Sequence, residues 1–268
     1  MRKLALSDEI LLKVDKAARY IGGEVNSVMK DKNAVDIRFA MCFPDVYEIG
    51  MSNLGMMILY NMFNQREDVW CERLFSPWPD LDKVMREKKI PLFALESQEP
   101  IRDFDFLGIT IGYEMCYTNI LQVLDLSGIP LKSADRGEDF PIVIGGGACA
   151  YNPEPLAPFF DMFYIGEGET VYDALFDAYK ANKKAGGSRR DFLLAAAKIP
   201  GIYVPSLYEV TYKEDGTIAS FAPTADGVPE KVQKQLIIDM EKEYRAVEAP
   251  VVPHIKATQD RVTLEIQR

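Results

Sequence analysis

Short, uninterrupted apolar runs alternate along this chain with stretches in which apolar residues recur every three or four positions. The runs Ala34 to Phe43, Asp68 to Phe75, Leu92 to Leu95, Phe104 to Gly112, Pro141 to Ile144 and Met162 to Ile165 read as strands buried on both faces. Between them the helical period predicts a helix over Ser52 to Asn64, capped by Ser52 and facing inward with Leu54, Ile58 and Met62. It predicts further helices over Asp80 to Lys89, behind the Pro77 and Pro79 pair, and over Thr118 to Leu126. A fourth spans Glu169 to Lys183, with Val171, Leu175 and Ala178 inward. At the N-terminus, Ile10, Leu11, Val14, Ala17, Ala18 and Ile21 keep the same spacing, with Ser7 or Asp8 to begin a helix and Gly22 to end it.

This alternation of strand and helix implies an α/β fold, a doubly wound parallel sheet of the Rossmann or flavodoxin-like kind, with roughly five strands between residues 34 and 185. The organisation expected is a helical lead-in (1–33), an α/β domain (34–200) and a β-rich connector (201–268). Asp191 to Lys198 forms a short Ala-rich helix before the connector; within the connector Tyr208 to Tyr212 and Ile218 to Phe221 form a hairpin around Asp215-Gly216, and Val262 to Ile266 is a last strand. A closing strand with no successor in the sequence reads as a boundary or a cut before a further domain.

Composition narrows the chemistry. Of 268 residues, 48% are hydrophobic, which excludes a disordered chain. Lys plus Arg number 31 against 41 Asp plus Glu, a net charge of −10, which argues against a nucleic-acid surface. One histidine, His254, leaves no room for a His-rich metal site, and beside Pro253 it reads as a surface residue or a satisfied hydrogen-bond partner. Cys42, Cys71, Cys116 and Cys149 are too widely spaced for a zinc knuckle or CxxC and read as reduced thiols. Cys42, Cys116 and Cys149 fall at strand ends that share one edge of a parallel sheet, where small buried residues are a better reading than a thiol cluster. The N-terminal MRKLALSDEI has no apolar run behind its basic residues, and the uncharged run Ile49 to Gln65 is broken by Ser52, Asn53, Gly55, Asn61 and Asn64. Neither reads as a signal peptide or a membrane span, so a cytoplasmic protein without membrane contact is expected.

Ligands of a doubly wound sheet bind beyond the C-terminal strand ends. Four segments fall there. Phe43 to Gly55 brings Pro44, Asp45, Tyr47, Glu48, Gly50, Ser52 and Asn53 to the entry of a helix, whose free N–H groups favour an anion. Gly112, Tyr113 and Glu114 follow the third long strand, with Tyr117 offering a second flat face. Gly145, Gly146, Gly147 and Ala148 follow a buried strand. Three glycines carry an entropic cost that makes sense where something bulky passes close to the backbone, but they form neither GxGxxG nor a P-loop. Finally Gly166, Glu167, Gly168 and Glu169 open the next helix, and the two acids there would repel a phosphate.

The last two segments together resemble a known pattern: an apolar strand ending in Gly145-Gly146, the pair Pro153-Glu154, Asp161 before the next strand, then Gly166-Glu167-Gly168-Glu169. This is similar to the cobalamin-binding-type domain that precedes the core of many radical S-adenosylmethionine (radical SAM) enzymes. FPDVYEIGMSNLG (Phe43 to Gly55) and the terminal DRVTLEIQR resemble one uncharacterised branch, in which such a tail runs into Gly-Cys and a CxxxCxxC cluster motif. The resemblance implies a corrinoid, cobalamin, held by the residues of the four segments. It is held without a histidine ligand, because the DxHxxG motif is absent. It implies a 4Fe–4S cluster and S-adenosylmethionine in a downstream radical SAM domain, and a substrate of unknown identity, so that these residues alone generate no radical. The alternatives are a non-catalytic docking or substrate-presenting domain with a vestigial site, and an unrelated flavodoxin-like nucleotide binder.

Overall fold

The computed structural model describes residues 3–240 and 247–258. A one-turn helix α1 (Asp8–Leu11) precedes strand β1 (Ile37–Phe43). A second turn, α2 (Tyr47–Gly50), leads into α3 (Leu54–Gln65). Then follow β2 (Val69–Phe75), α4 (Pro79–Lys88), β3 (Phe106–Thr110), α5 (Tyr117–Leu126), β4 (Ile142–Gly146) and β5 (Met162–Tyr164). Helices α6 (Tyr172–Ala185) and α7 (Arg189–Ala196), strand β6 (Ile202–Tyr203) and the hairpin β7 (Tyr208–Tyr212) and β8 (Ile218–Pro223) complete the order.

One sheet runs β2-β1-β3-β4-β5-β6, parallel throughout except for the antiparallel β6. The first five strands have the flavodoxin-like order, with the switch point between β1 and β3. The expected fold class holds, and the sheet takes its sixth strand from beyond residue 200.

Alternation along the strands feeds two cores. Phe39 and Met41 of β1 pack under α3, α6 and α7, whereas Ala40 and Cys42 pack against α4, α5 and the N-terminal segment. Phe63 meets Phe39 and Phe176 edge-on, each at 5.0 Å between ring centroids. Val228, Val251 and Ala257 join that first core from the far end of the sequence.

Several elements differ from expectation. The N-terminal helix survives only as α1 and a 3-10 turn at Ala17–Arg19, with Leu12 exposed. Lys16 and Arg19 turn away to pair with Glu48, a tertiary pull that the periodicity could not show. Helix α3 is capped by the Asn53 side chain, not Ser52, whose hydroxyl donates to the Glu48 carbonyl. Its buried positions are Met56, Met57, Ile58, Tyr60 and Phe63, so Ile58 is inward as expected while Leu54 and Met62 lie at the margin. Leu92 to Leu95 is no strand: Leu95 N donates to Arg73 O and Ala94 N to Glu99 O, which ties the segment into a turn. Helix α7 begins at Arg189 under a capping box of Ser188 and Asp191. Val262 to Ile266 lies outside the described residues.

A charged lattice lies inside β2. Arg73 is fully buried and pairs with Glu24 at 2.7 Å and Glu96 at 2.6 Å, while Tyr47 and Tyr60 each donate a hydroxyl to one of those carboxylates. One strand over, Arg38 binds the buried Glu72 at 2.6 Å. No helix among the described residues is long and apolar enough to cross a membrane.

Candidate functional site: a glycine-walled cavity at the switch point

A cavity of about 420 Å³ opens at the C-terminal end of the sheet, on the face covered by α3 and α6. Its floor is Phe39 and Met41 of β1, Gly108 and Ile109 of β3 and Ile144 of β4. Asn53, Gly55, Met56 and Leu59 at the start of α3 form one wall, and Tyr164 and Tyr172 the other. Thr110, Gly112, Gly146, Gly147, Ala148, Gly166 and Gly168 make the rim. None of these side chains is ionisable at neutral pH, so the cavity is neutral, with amide and hydroxyl groups at its edge.

Glycine is needed here for different reasons at different positions. A Cβ on Gly146 would touch nothing nearer than 4.0 Å (the Tyr164 carbonyl and the Tyr172 hydroxyl), and one on Gly112 would meet nothing within 4 Å. These two glycines leave space open. A Cβ on Gly145 would stand 2.8 Å from Ile111 and Phe163, so that glycine is filled by the protein's own core. Gly147 has φ +105° and its Cβ would lie 2.9 Å from the Ile111 carbonyl. Of the three consecutive glycines, then, two answer to packing and backbone conformation and one to the cavity.

A strap of residues 232–238 crosses beside the rim. Gly166 bridges Gln235, Glu167 N donates to Gln235 O at 3.1 Å, and Gln235 N donates to Ile165 O at 3.0 Å. The Glu167 carboxylate accepts from Ile237 N at 2.5 Å. Glu167 thus helps to hold the strap. Because α6 starts at Tyr172, Glu169 lies in the turn before it, not in its first helical turn.

The other expected residues divide. Asn53, Gly112, Gly146, Gly147, Ala148, Gly166 and Gly168 come together at the cavity. Asp45 lies on the opposite side of the sheet edge, where it accepts the Tyr113 hydroxyl, and Pro44 O accepts from Asn119. Partial burial and the Asp45 carboxylate push the Tyr113 hydroxyl up to about 12. Glu114 stands beside Cys149 in the same corner. Tyr47 is buried against Glu24, Gly50 packs under the Phe75 ring, and Glu48 is held by Arg19 and Lys16. Burial alone would raise the Glu48 carboxyl, but the Arg19 and Lys16 hydrogen bonds outweigh it and hold the group at about 2. Pro153 and Glu154 line a separate groove on the β6 side.

The floor and wall residues Phe39, Met41, Leu59 and Tyr172 carried no signal in the sequence beyond ordinary core. Gly108 did carry one: a glycine inside a strand marks a close approach, here the Phe39 ring 2.4 Å from a virtual Cβ. Cys42, Cys71 and Cys116 are buried and Cys149 is partly buried. No group of three or more His, Cys, Asp or Glu that could hold a metal ion occurs among the described residues. His254 is satisfied, its ring Nε2 3.1 Å from Gly22 O.

Fold and cavity together define a doubly wound α/β domain with an uncharged cavity at its switch point. Residues 55–205, more than half of the chain, match the family described as "Radical SAM proteins, N-terminal", and the chain belongs to that family. A relative in Methanocaldococcus jannaschii, the uncharacterized protein MJ0966, is 26% identical over 131 residues, which cover 48% of this chain and 24% of the relative. Among solved structures the chain is similar to TsrM of Kitasatospora setae, a radical S-adenosylmethionine methyltransferase with tryptophan and a SAM analogue bound. The identity is 14% and the TM-score 0.37, over 67% of this chain and 29% of that one. The chain thus spans about a quarter of the curated relative's length.

Proposed function

We propose that this chain is the corrinoid-holding N-terminal domain of a radical SAM enzyme. On this reading the cavity at the β1/β3 switch point takes an edge or arm of cobalamin, and the macrocycle rests outside on the glycine rim. The carrying observation is the open space at Gly146 and Gly112, a cradle that side chains would fill. A volume of about 420 Å³ encloses only part of so large a ligand.

The residue types fit such a group. Phe39, Met41, Ile144 and Leu59 offer an apolar slot, and Thr110 and Tyr172 carry hydroxyls suited to amide side arms. The absence of ionisable side chains in the lining disfavours a nucleoside triphosphate, which calls for Lys, Arg or a metal. No His lines the cavity, so its residues would offer a bound cobalt no imidazole. Bound cobalamin would supply methyl-transfer or radical chemistry. The domain's own part is to bind, orient and exclude water. Cluster ligation needs closely spaced thiolates, and these cysteines are far apart in sequence, so the 4Fe–4S cluster and S-adenosylmethionine belong on this reading to another segment of the enzyme.

The test is incubation of the protein with hydroxocobalamin followed by gel filtration. The reading expects retained cobalt and a shifted visible spectrum. Complete loss of cobalt on the column contradicts it and favours a docking domain with a vestigial site.

A further inference from the structure

A second groove of about 530 Å³ lies between the 3-10 turn at Ala148–Tyr151, strand β6 and the β7–β8 hairpin. Its walls are aromatic. Tyr208 and Phe221 stack at 5.3 Å and 17°, and Tyr203 leans on Tyr208 at 5.1 Å. Tyr151 completes the set with 53% of its surface exposed. Two exposed carboxylates, Glu154 and Glu230, stand among these rings. The Tyr203 hydroxyl donates to Glu154 Oε1 at 2.5 Å, which fixes the carboxylate against the aromatic wall and leaves its remaining lone pairs for another donor.

One ring of the groove, Tyr151, already meets a cation of the protein's own. Lys234 Nζ lies 5.0 Å from the centroid of the Tyr151 ring. The ring face accepts positive charge because its π quadrupole is negative. Flat stacked rings with a fixed carboxylate beside them match a planar cation that can stack and donate in-plane at once, which is the geometry of a guanidinium. An ammonium would use the ring face but not the plane. Lys231 also lines the groove, and its charge opposes a cation there.

We propose that this groove binds a guanidinium group, as carried by an arginine side chain or a small guanidino compound, with Tyr208 and Phe221 as the stacking wall and Glu154 as the in-plane partner. Lys234 occupies part of the site as an internal competitor. The proposal is independent of the corrinoid reading, since no side chain named here lines the first cavity.

The experiment titrates the chain with methylguanidinium, with urea as a neutral planar isostere and with the peptide Gly-Arg-Gly, and follows tyrosine ring resonances by NMR at constant ionic strength. Saturable shifts are expected with methylguanidinium and not with urea. A response to the peptide as well indicates that the guanidinium can be presented by a polypeptide, and a response to methylguanidinium alone indicates a small-molecule site. Phe221→Ala and Glu154→Gln each weaken binding about two- to fivefold. Lys234→Ala strengthens it by a similar factor, an effect that a variant with damaged folding would not produce. Equal responses to urea and methylguanidinium, or a Lys234→Ala affinity at or below wild type, would overturn the proposal.

Discussion

Two regions of this domain invert the usual expectation of where function lies. The β2 side is dense with charge: Arg73 between Glu24 and Glu96, and Arg38 on Glu72, all inside the protein. The switch-point cavity has no ionisable side chain in its lining. Charges in the first region are consumed by one another, with tyrosine hydroxyls satisfying the carboxylates from Tyr47 and Tyr60. In the second, glycines withhold side chains, and what is left open is space. Buried charge here serves the architecture, and the proposed site is uncharged open volume.

The comparison breaks most readily at Arg73. Arg73→Met leaves two carboxylates buried without their cation, and a loss of about 3–5 kcal/mol is expected in urea unfolding. A loss under about 1 kcal/mol would mean that the lattice is ornamental. Next comes Gly166→Ala. At φ +133° a side chain is strained, and its Cβ would stand 2.3 Å from the Gln235 carbonyl. The expected cost is about 1–3 kcal/mol, with hydrogen exchange accelerated at Gln235 before the rest of the fold.

Glu48 gives a pH test of the outer charges. Its folded-state carboxyl sits at about 2 against an ordinary 4.5. A depressed carboxyl stabilises fully above the unfolded value, and that contribution fades as pH falls from about 4.5 toward about 2. The stability gap between wild type and Arg19→Gln should therefore be constant above pH 4.5 and narrow below it. A gap that widens on acidification would contradict the pairing. Smallest in stability is Gly146→Val, for which a change within about 1 kcal/mol is expected because the new Cβ meets open space.

Much of this was legible from periodicity. Buried strands such as Ile37–Phe43, apolar but for Arg38, and Ile142–Gly146 are short apolar runs, and their order with the intervening helices implied the doubly wound sheet. The glycine-rich turns after β4 and β5 pointed to the edge at which the cavity opens. What sequence could not separate was the cause of each glycine: Gly145 and Gly146 are neighbours with identical letters, one facing the core and one the cavity. Nor could it show that Asp45, Glu48 and Glu167 are occupied by Tyr113, Arg19 and the strap, because those partners lie 68, 29 and 70 residues away in sequence. The inward face of α3 was placed correctly at Ile58 but not at Leu54 and Met62, for a related reason. Its aromatic and methionine positions answer to the partners across the sheet, not to the strongest local period.

The central claim is that the open space at Gly146 is there for a corrinoid. Its most direct test is a hydroxocobalamin titration of wild type beside Gly146→Val, read by visible spectroscopy and retained cobalt, with urea unfolding run on both. The account predicts saturable binding to wild type and a loss of at least about tenfold in the variant at nearly unchanged stability, tenfold being about 1.4 kcal/mol. Equal affinity in the two proteins, or no binding to either, would contradict it.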